Sequence, residues 1–394
     1  MGIPATYAGR PRHDFADIVR GCLAELQASG PLAPEQGRAL AAIRSCRTAA
    51  LGGHLEECLD CGVRHPAYSS CRNRHCPKCQ ALAAERWIAA RSDRLLPVRH
   101  FHVVFTVPAE LRPLAQQAPE PVYSMLLQAA SATLLELGAS RWQVRLGVTA
   151  ILHTWTRDLR YHPHVHALVT AGGLTDSGAR FVRRPGRYLF PVKVMGALLR
   201  GKVLAALRDL HRRRRLPLPA ADLDRLCAQL ARHAWVVYAK SAFRRVEHVL
   251  SYLGRYTHRV GLANSRILLV TPDAVTFHTR HGQTATLAPV ELVRRFVQHV
   301  LPPGFQKLRH YGLYASACVA GPLAAAHALL TPAPRPPAPV APPPLPYVEH
   351  LRALTGRDVD RCPRCGGRLV RWRLLPLRPT RSAASRAPPD QVCG

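Results

Sequence analysis

Two Cys-x-x-Cys pairs in a loop-rich stretch constrain this chain more than any other feature. They are Cys58–Cys61 and Cys76–Cys79, with fourteen residues between them. Each such turn directs two thiolates at one point, and two turns complete a tetrahedron around zinc. A segment this short cannot bury enough apolar surface by itself, so zinc binding would contribute directly to its folding. We therefore predict one structural zinc ion held by Cys58, Cys61, Cys76 and Cys79.

Other residues with metal-binding side chains leave the ligand set open. Three lie close to the two pairs and could replace one ligand or hold a second metal: Cys46, Cys71 and His75. A third pair, Cys362 and Cys365, is only half of a site, and Cys393 is the one other cysteine near it. This pair is compatible with a truncated zinc ribbon or with pairing between two chains.

The charge of the chain predicts a polyanionic partner. Lys and Arg number 55 against 24 Asp and Glu, which gives a formal net charge of +31. Nucleic acid is the usual partner of such a chain. No apolar run approaches the roughly 18 residues of a membrane span, and the N-terminus lacks the layout of a signal peptide. We expect a DNA-binding protein of the cytoplasm, associated with the nucleoid and not with a membrane.

Three basic residues between the cysteines are candidates for contacts with DNA phosphates: Arg72, Arg74 and Lys78. The alternative is an ordinary solvated basic face. A passive, unfolded coat protein is disfavoured because 47% of the residues are hydrophobic.

Hydrophobic spacing predicts strands and helices that alternate irregularly along the chain, which indicates an α+β fold with a sheet covered by helices. Helices are predicted at 14–28, 34–46, 80–96, 121–137, 193–215, 222–233, 243–258 and 289–300. Strands are predicted at 100–107, 144–153, 164–170, 234–239, 266–270 and 274–279. The resulting division is a zinc-binding DNA-recognition domain (1–97), a larger domain (98–330), a proline-rich linker (331–346) and a short basic tail (347–394).

Three histidines occur within five residues, at His162, His164 and His166. On the strand predicted at 164–170, His164 and His166 point to the same face, because side chains alternate along a strand. Two imidazoles so placed can bind one divalent ion. A polar sheet face without metal is the simpler interpretation of this motif alone.

Two tyrosines lie four residues apart on the helix predicted at 243–258. Tyr252 and Tyr256 therefore share one helix face, and His248 lies one turn before them on that face. Three arginines accompany them and are candidates for DNA binding: Arg245, Arg255 and Arg259. Two buried core tyrosines would be the simpler interpretation of this pattern alone.

Together, the histidines and the tyrosines form a coherent site for cutting DNA. Tyrosine has a pKa of about 10 in water and is a poor nucleophile at neutral pH. A divalent ion on the scissile phosphate would stabilise the charge that develops during attack. The product would be a phosphotyrosine bond, which conserves the energy of the broken strand, and two tyrosines would allow two such bonds in turn.

The chain resembles the two-tyrosine HUH transposases of the IS91 type, which move by a rolling-circle route. The matching stretches are CRTAALGGH (46–54), CRNRHCPKC (71–79), HFHVVFTVP (100–108), HPHVHALVTAGG (162–173), YLGRYTHRV (252–260) and LPPGFQKLRHYGL (301–313). The resemblance runs from about residue 10 to about residue 320, and its motifs occur in the family's order.

This resemblance implies a function and a role for each motif. The expected activity is nicking of single-stranded DNA at insertion-sequence ends through a covalent 5′-phosphotyrosine intermediate, followed by strand transfer. Tyr252 and Tyr256 would be the nucleophiles, and His164 and His166 would bind Mg²⁺ or Mn²⁺. The histidines would lie on a central antiparallel sheet, after a zinc domain that helps to bind DNA. Assembly into a homo-oligomer is compatible with this function.

Some alternatives stay open at this point. The third ligand of the catalytic ion is expected to be His248, with Glu247 and His162 as alternatives. A replication initiator or relaxase would use the same chemistry, although a zinc domain is not a usual part of such enzymes. A non-enzymatic zinc-ribbon DNA-binding protein, with both tyrosines in a core, is the third hypothesis.

Overall fold

The computed structural model describes residues 13–79, 94–184, 186, 189–243, 261–280, 282–331, 348–349, 352 and 358–374. Two short helices begin this described part of the chain. Helix α1 (Phe15–Ala28) starts where the side chain of Asp14 accepts a hydrogen bond from the Ala16 backbone N–H. Helix α2 (Pro34–Ser45) starts with a proline, whose missing N–H costs nothing in the first turn. Cys46 follows its last residue as the C-cap, and the Cys46 backbone N–H donates a hydrogen bond to the carbonyl oxygen of Ile43.

The remaining helices are distributed between the strands. They are α3 (Arg112–Gln117), α4 (Pro119–Trp142), α5 (Val192–Arg212), α6 (Ala220–Arg232), α7 (Pro289–Val297) and α8 (Ala324–Leu330). The strands are β1 (Gly53–Cys58), β2 (Arg64–Tyr68), β3 (His100–Thr106), β4 (Val144–Trp155), β5 (Tyr161–Thr175), β6 (Phe181–Arg183), β7 (Val237–Phe243), β8 (Ile267–Val270), β9 (Val275–His278), β10 (Thr284–Leu287), β11 (Leu308–Gly312) and β12 (Leu369–Leu374).

A central antiparallel sheet organises the middle of the chain, with the strand order β11-β4-β5-β3-β7 and with β6 added beside β5. Strand β5 continues through Gly172 and Gly173 to Thr175, where the sequence predicted an end at residue 170. The backbone of Gly172 has a φ of 131°, and a Cβ atom there would lie 2.1 Å from the carbonyl oxygen of Val182. Glycine therefore permits the close pairing with β6 instead of ending the strand.

The two faces of this sheet have different roles. Side chains of one face, including Val103, Val148 and Val165, are buried under helices α4, α5 and α6 in the largest hydrophobic core. The opposite face carries the histidines of β3, β4 and β5, and beyond them a smaller core that includes Leu168 and Tyr314. The alternation of burial along β5 follows from its two-residue period.

A third core joins the N-terminal helices to a later part of the chain. Phe15 of α1 and Phe296 of α7 are fully buried, and their ring centroids lie 4.4 Å apart. Strands β8–β10 form a separate antiparallel sheet that contributes Val275 and Phe277 to the same core. These contacts cross the boundary that the sequence predicted near residue 97.

The N-terminal sheet contains a strand from the other end of the chain. Strand β12 pairs antiparallel with β1, from Gly53 opposite Leu374 to Cys58 opposite Leu369, and β2 pairs with the other edge of β1. Residues 369–374 thus complete a three-stranded sheet with the N-terminal cysteine region. The sequence had predicted a tail separate from that region.

The α+β fold class, with antiparallel sheets flanked by helices, is confirmed. Helix α4 extends further in both directions than predicted, whereas α7 ends at Val297, three residues early. Most of the predicted helices at 80–96 and 243–258 and most of the linker at 331–346 lie outside the described residues, whereas Phe243, the predicted first residue of the second helix, ends strand β7. In the described residues, no helix is both long enough and apolar enough to cross a bilayer.

We predict that Phe296→Ala lowers the free energy of unfolding by about 3–5 kcal/mol, because it leaves a cavity between α1 and α7. The measurement is urea denaturation followed by circular dichroism. Val236→Ala is the control, because this side chain is 64% exposed and its loss should change stability by less than about 0.5 kcal/mol. Equal stabilities of the two variants would contradict the packing described for α7.

Candidate functional site

Three histidines from two neighbouring strands converge on the open face of the central sheet. His164 and His166 lie on β5, and His153 of β4 is paired directly opposite His164. One ring nitrogen from each histidine lies within 4.8 Å of the others. Such an arrangement fits a divalent transition-metal ion, because imidazole nitrogens suit zinc, iron, nickel and copper.

The structure places His164 and His166 on one strand face, as the sequence predicted, and adds His153, which the sequence analysis missed. A signal for it was present, because the strand predicted at 144–153 ends at His153. Antiparallel pairing of that strand with the next one would have placed His153 beside the motif. His162, an alternative third ligand, is not part of this cluster, and its Nδ1 lies 3.1 Å from a guanidinium nitrogen of Arg112.

Hydrogen bonds orient the rings of His164 and His166. The Nδ1 of His164 lies 2.7 Å from the carbonyl oxygen of His162, to which its N–H donates, and this tautomer directs Nε2 away from the backbone. The Nδ1 of His166 lies 2.8 Å from Nε2 of His102, on the adjacent strand β3. Stacking of Trp155 on His153, with centroids 4.8 Å apart, borders the third ring.

Burial keeps these imidazoles neutral at physiological pH. It lowers the pKa of His164 to about 4, and lowers the pKa values of His153 and His166 well below the ordinary value. Neutral imidazole is the form that binds metal ions. The cluster can therefore bind a cation without first losing protons at pH 7.

Two exposed cations lie close enough to act on the cluster. Burial and then the neighbouring histidines are the largest causes that lower the pKa of His166. Lys240 of β7 and Arg280, which follows β9, add smaller contributions in the same direction. A positive potential beside a metal site suits a phosphate group. The sequence analysis named neither residue, because nothing in their local sequence links them to the histidine motif.

The predicted nucleophiles, Tyr252 and Tyr256, lie outside the described residues. The predicted ligand His248, its alternative Glu247 and the three arginines also lie there: Arg245, Arg255 and Arg259. The described residues on both sides of that segment flank the histidine cluster. Phe243, at the end of β7, has its ring centroid 6.3 Å from that of His102. Gly261 lies against Trp155, where an added Cβ would be 3.6 Å from the indole Cγ.

The cysteines form two clusters instead of the single predicted site. Cys76 and Cys79 converge with Cys46 and Cys71, and each of the four sulfurs lies within 4.8 Å of the others. This set corrects the prediction that Cys76 and Cys79 share an ion with Cys58 and Cys61. The reason is the path of the chain: Cys46 directly follows the last residue of α2, and this position places its thiol beside the turn at 71–79.

The second cluster contains Cys58 and Cys61 together with Cys362 and Cys365 of the tail. The predicted half-site in the tail is thus completed by a pair more than three hundred residues earlier. Cys393 lies outside the described residues. Each cluster offers four thiols, the donor set of a structural zinc site with no open position.

The basic residues between the cysteines have different environments. Arg74 donates hydrogen bonds to the carbonyl oxygens of Phe305 and Pro302, at 2.6 and 3.2 Å. Lys78 forms an ion pair with Asp14 and donates to the carbonyl of Cys46. Arg72 is exposed. Arg74 and Lys78 therefore attach the cysteine turn to the rest of the protein, and Arg72 is the better candidate for contact with DNA.

His75 also attaches this turn and is not part of either cysteine cluster. Its Nε2 accepts a hydrogen bond from the Leu301 backbone N–H at 3.2 Å, and its backbone N–H donates to Asn73. Burial lowers the pKa of His75 to about 3, so the ring stays neutral and able to accept this bond.

Comparisons with known proteins match the chain to transposases. Residues 147–320 match a family described as "Putative transposase", and residues 18–107 match one described as "Transposase zinc-binding domain". The chain is 39% identical to the "Putative transposase y4qJ" of Sinorhizobium fredii (strain NBRC 101917 / NGR234), across 85% of this chain and 88% of that protein.

A second relative is the "Transposase for insertion sequence element IS801" of Pseudomonas savastanoi pv. phaseolicola. It is 29% identical over 89% of this chain and 86% of its own length. No solved structure matches the chain significantly.

We predict that His153→Ala weakens Mn²⁺ binding by at least about 100-fold, since loss of a partner that only orients a ligand already costs about 10–100-fold. Isothermal titration calorimetry on protein with its cysteine sites loaded with zinc measures this affinity. His162→Ala is the matched control on the same strand face and should bind Mn²⁺ like the unchanged protein. Equal affinities for both variants would exclude His153 as a ligand.

Proposed function

Because the chain belongs to the IS91 family of transposases, we propose that it nicks single-stranded DNA at the ends of an insertion sequence. The nick would create a 5′-phosphotyrosine bond to Tyr252 or Tyr256, and the held strand would then be transferred to a new site. The observation that carries this proposal is the cluster of neutral histidines, His153, His164 and His166, on the open face of the central sheet.

The described residues next to the tyrosine segment support the same proposal. Phe243, the last described residue before it, lies beside His102, and Gly261, the first described residue after it, lies beside Trp155. His102 contacts His166, and Trp155 stacks on His153, so Phe243 and Gly261 both lie next to side chains that contact the cluster. Tyr252 and Tyr256 stand between Phe243 and Gly261 in the sequence.

The three imidazoles are the groups that would hold the catalytic ion. Nitrogen ligands favour a transition metal over Mg²⁺, which prefers oxygen, and Mn²⁺ is the transition metal of the two ions that the sequence led us to expect. A divalent ion at this place supplies Lewis-acid stabilisation of the negative charge that develops on the phosphate. His248, the ligand expected from the sequence, would complete the set as a fourth histidine.

The protein's own residues would perform the remaining work. The tyrosine oxygen forms a bond to phosphorus and gives up its proton, while the bond to the preceding 3′ oxygen breaks, which releases a 3′ hydroxyl. Lys240 and Arg280 would hold neighbouring phosphates through their charge. A second tyrosine allows the reaction to be repeated on another strand without releasing the first.

The N-terminal domain would contribute DNA recognition, with zinc as its structural metal. Its first cysteine cluster lies close to the chain segment at 301–305, through Arg74 and His75. The domain is therefore held against the histidine-bearing part of the protein and could align a bound DNA end with it. The match to a transposase zinc-binding domain favours transposition over plasmid replication as the process served.

We predict that wild-type protein with Mn²⁺ forms a covalent adduct with a labelled single-stranded oligonucleotide copied from the DNA that flanks the gene. The combined change Tyr252→Phe and Tyr256→Phe should abolish the adduct, because phenylalanine keeps the ring but lacks the attacking oxygen. Denaturing gel electrophoresis detects the product. Tyr238→Phe, at an exposed tyrosine of β7, is the control and should leave the adduct yield unchanged.

Retention of the adduct in the double variant would contradict the assignment of these nucleophiles. Absence of any adduct in the wild type, with Mn²⁺ bound and DNA bound, would instead favour a DNA-binding protein without nuclease activity.

We also predict that Lys240→Ala and Arg280→Ala each weaken binding of single-stranded DNA. Each change should reduce the slope of log affinity against log salt concentration by about 0.7, the contribution of one phosphate contact. Fluorescence anisotropy at several salt concentrations measures this slope. Arg225→Ala is the matched control, because Arg225 pairs with Asp222 on a helix that covers the opposite face of the sheet. Equal slopes for all three variants would remove both residues from the DNA site.

A further inference from the structure

We propose that Cys58, Cys61, Cys362 and Cys365 hold a second structural zinc ion, which fastens the C-terminal strand β12 to the N-terminal domain. The family matches end at residue 320, so neither of them includes the two tail cysteines. The ion would join parts of the chain that a proline-rich sequence separates.

The sulfur positions fit one tetrahedral ion. The Sγ atoms of Cys58 and Cys365 are 3.4 Å apart, and those of Cys61 and Cys362 are 3.8 Å apart. All four lie within 4.8 Å of one another. With zinc–sulfur bonds of about 2.3 Å, a regular tetrahedron has sulfurs separated by about 3.8 Å. Small adjustments of the side chains would therefore be enough to coordinate zinc.

The two cysteine turns have the same backbone design. Gly62 donates its N–H to the carbonyl of Cys58 at 3.0 Å, and Gly366 donates to that of Cys362 at 2.9 Å. Both glycines have left-handed backbones, with φ of 67° and 78°. Each turn therefore reads Cys-x-x-Cys-Gly, because glycine adopts this conformation without steric cost.

The two turns pack against each other closely. The backbone N–H of Leu59 donates to the carbonyl of Arg368 at 3.1 Å. A Cβ atom at Gly367 would lie 2.2 Å from a carboxylate oxygen of Asp60, an exposed side chain that would then have to move, so the two turns approach closely at this glycine. The turns thus face each other as two halves of one site.

The apolar contacts at this junction are few. Among the described residues, the buried cluster consists of Leu369 and the cysteines Cys58 and Cys362, with Val63 packed at its side. A core this small does not offset the conformational entropy of ordering both segments. Metal coordination supplies the missing free energy, as it does in other small zinc-dependent folds.

Strand β12 brings a basic and aromatic edge to the N-terminal sheet. Trp372 is 60% exposed, and Arg373 beside it is also exposed. Arg371 instead pairs with Glu56 of β1 and with Asp360. Loss of the ion would release this edge, together with the tail, from the domain.

The first test measures the number of zinc ions per full-length chain. This number is the zinc concentration, measured by inductively coupled plasma mass spectrometry, divided by the protein concentration. Every sample also carries His164→Ala/His166→Ala, so that the histidine cluster cannot take up zinc. Otherwise unchanged protein should then contain two zinc ions per chain, and the variant Cys362→Ser/Cys365→Ser should contain one. Cys22→Ala/Cys227→Ala is the matched control, because these two cysteines belong to neither cluster, and it should retain two. Two ions in the tail variant, or one in the unchanged protein, would overturn the proposal.

A second test follows the tail itself. A protease recognition sequence is inserted within residues 332–346, and the cleaved protein is passed over a size-exclusion column. The C-terminal fragment should stay with the body of the zinc-loaded protein and should separate from it in the Cys362→Ser/Cys365→Ser variant. Retention of the fragment in that variant would overturn the proposal. The proposal would also be overturned if the unchanged protein eluted as a dimer and the variant as a monomer, because the cysteines would then join two chains.

Discussion

The pairing of β4 with β5 is the constraint on which the candidate site depends. This register places His153 opposite His164 and Ile151 opposite His166. Because side chains alternate along a strand, a slip of one residue would turn His153 toward the large hydrophobic core. The valines and alanines on the reverse of these strands exclude that slip, since it would expose them. The apolar face of the sheet therefore fixes the geometry of its metal-binding face.

The N-terminal region depends on a second kind of constraint, the convergence of thiols from distant positions. The cluster of Cys46, Cys71, Cys76 and Cys79 forms part of the core that α1 shares with α7. Hydrogen bonds that Arg74 donates and a hydrogen bond that His75 accepts attach the same region to residues 301–305. A metal in this cluster would stabilise both the domain and its placement beside the histidines.

Much of this organisation could be predicted from local sequence. The alternation around His164 and His166 gave their shared face, and helix and strand spacing gave the α+β class. The partners of the cysteine pairs could not be predicted, because every Cys-x-x-Cys turn looks alike and the choice depends on the chain path. Lys240 and Arg280 were missed for the same reason, because tertiary structure alone brings them to the motif. His153 could have been found by pairing the strand predicted at 144–153 antiparallel with the next predicted strand.

Electron spin echo spectroscopy of Mn²⁺-loaded protein tests the central claim most directly, because it detects nitrogen atoms bound to the ion. The account predicts modulation from several coordinated imidazoles, reduced by one in each of His153→Ala, His164→Ala and His166→Ala. A spectrum that shows only water and other oxygen ligands, unchanged in these variants, would contradict a histidine-bound catalytic ion.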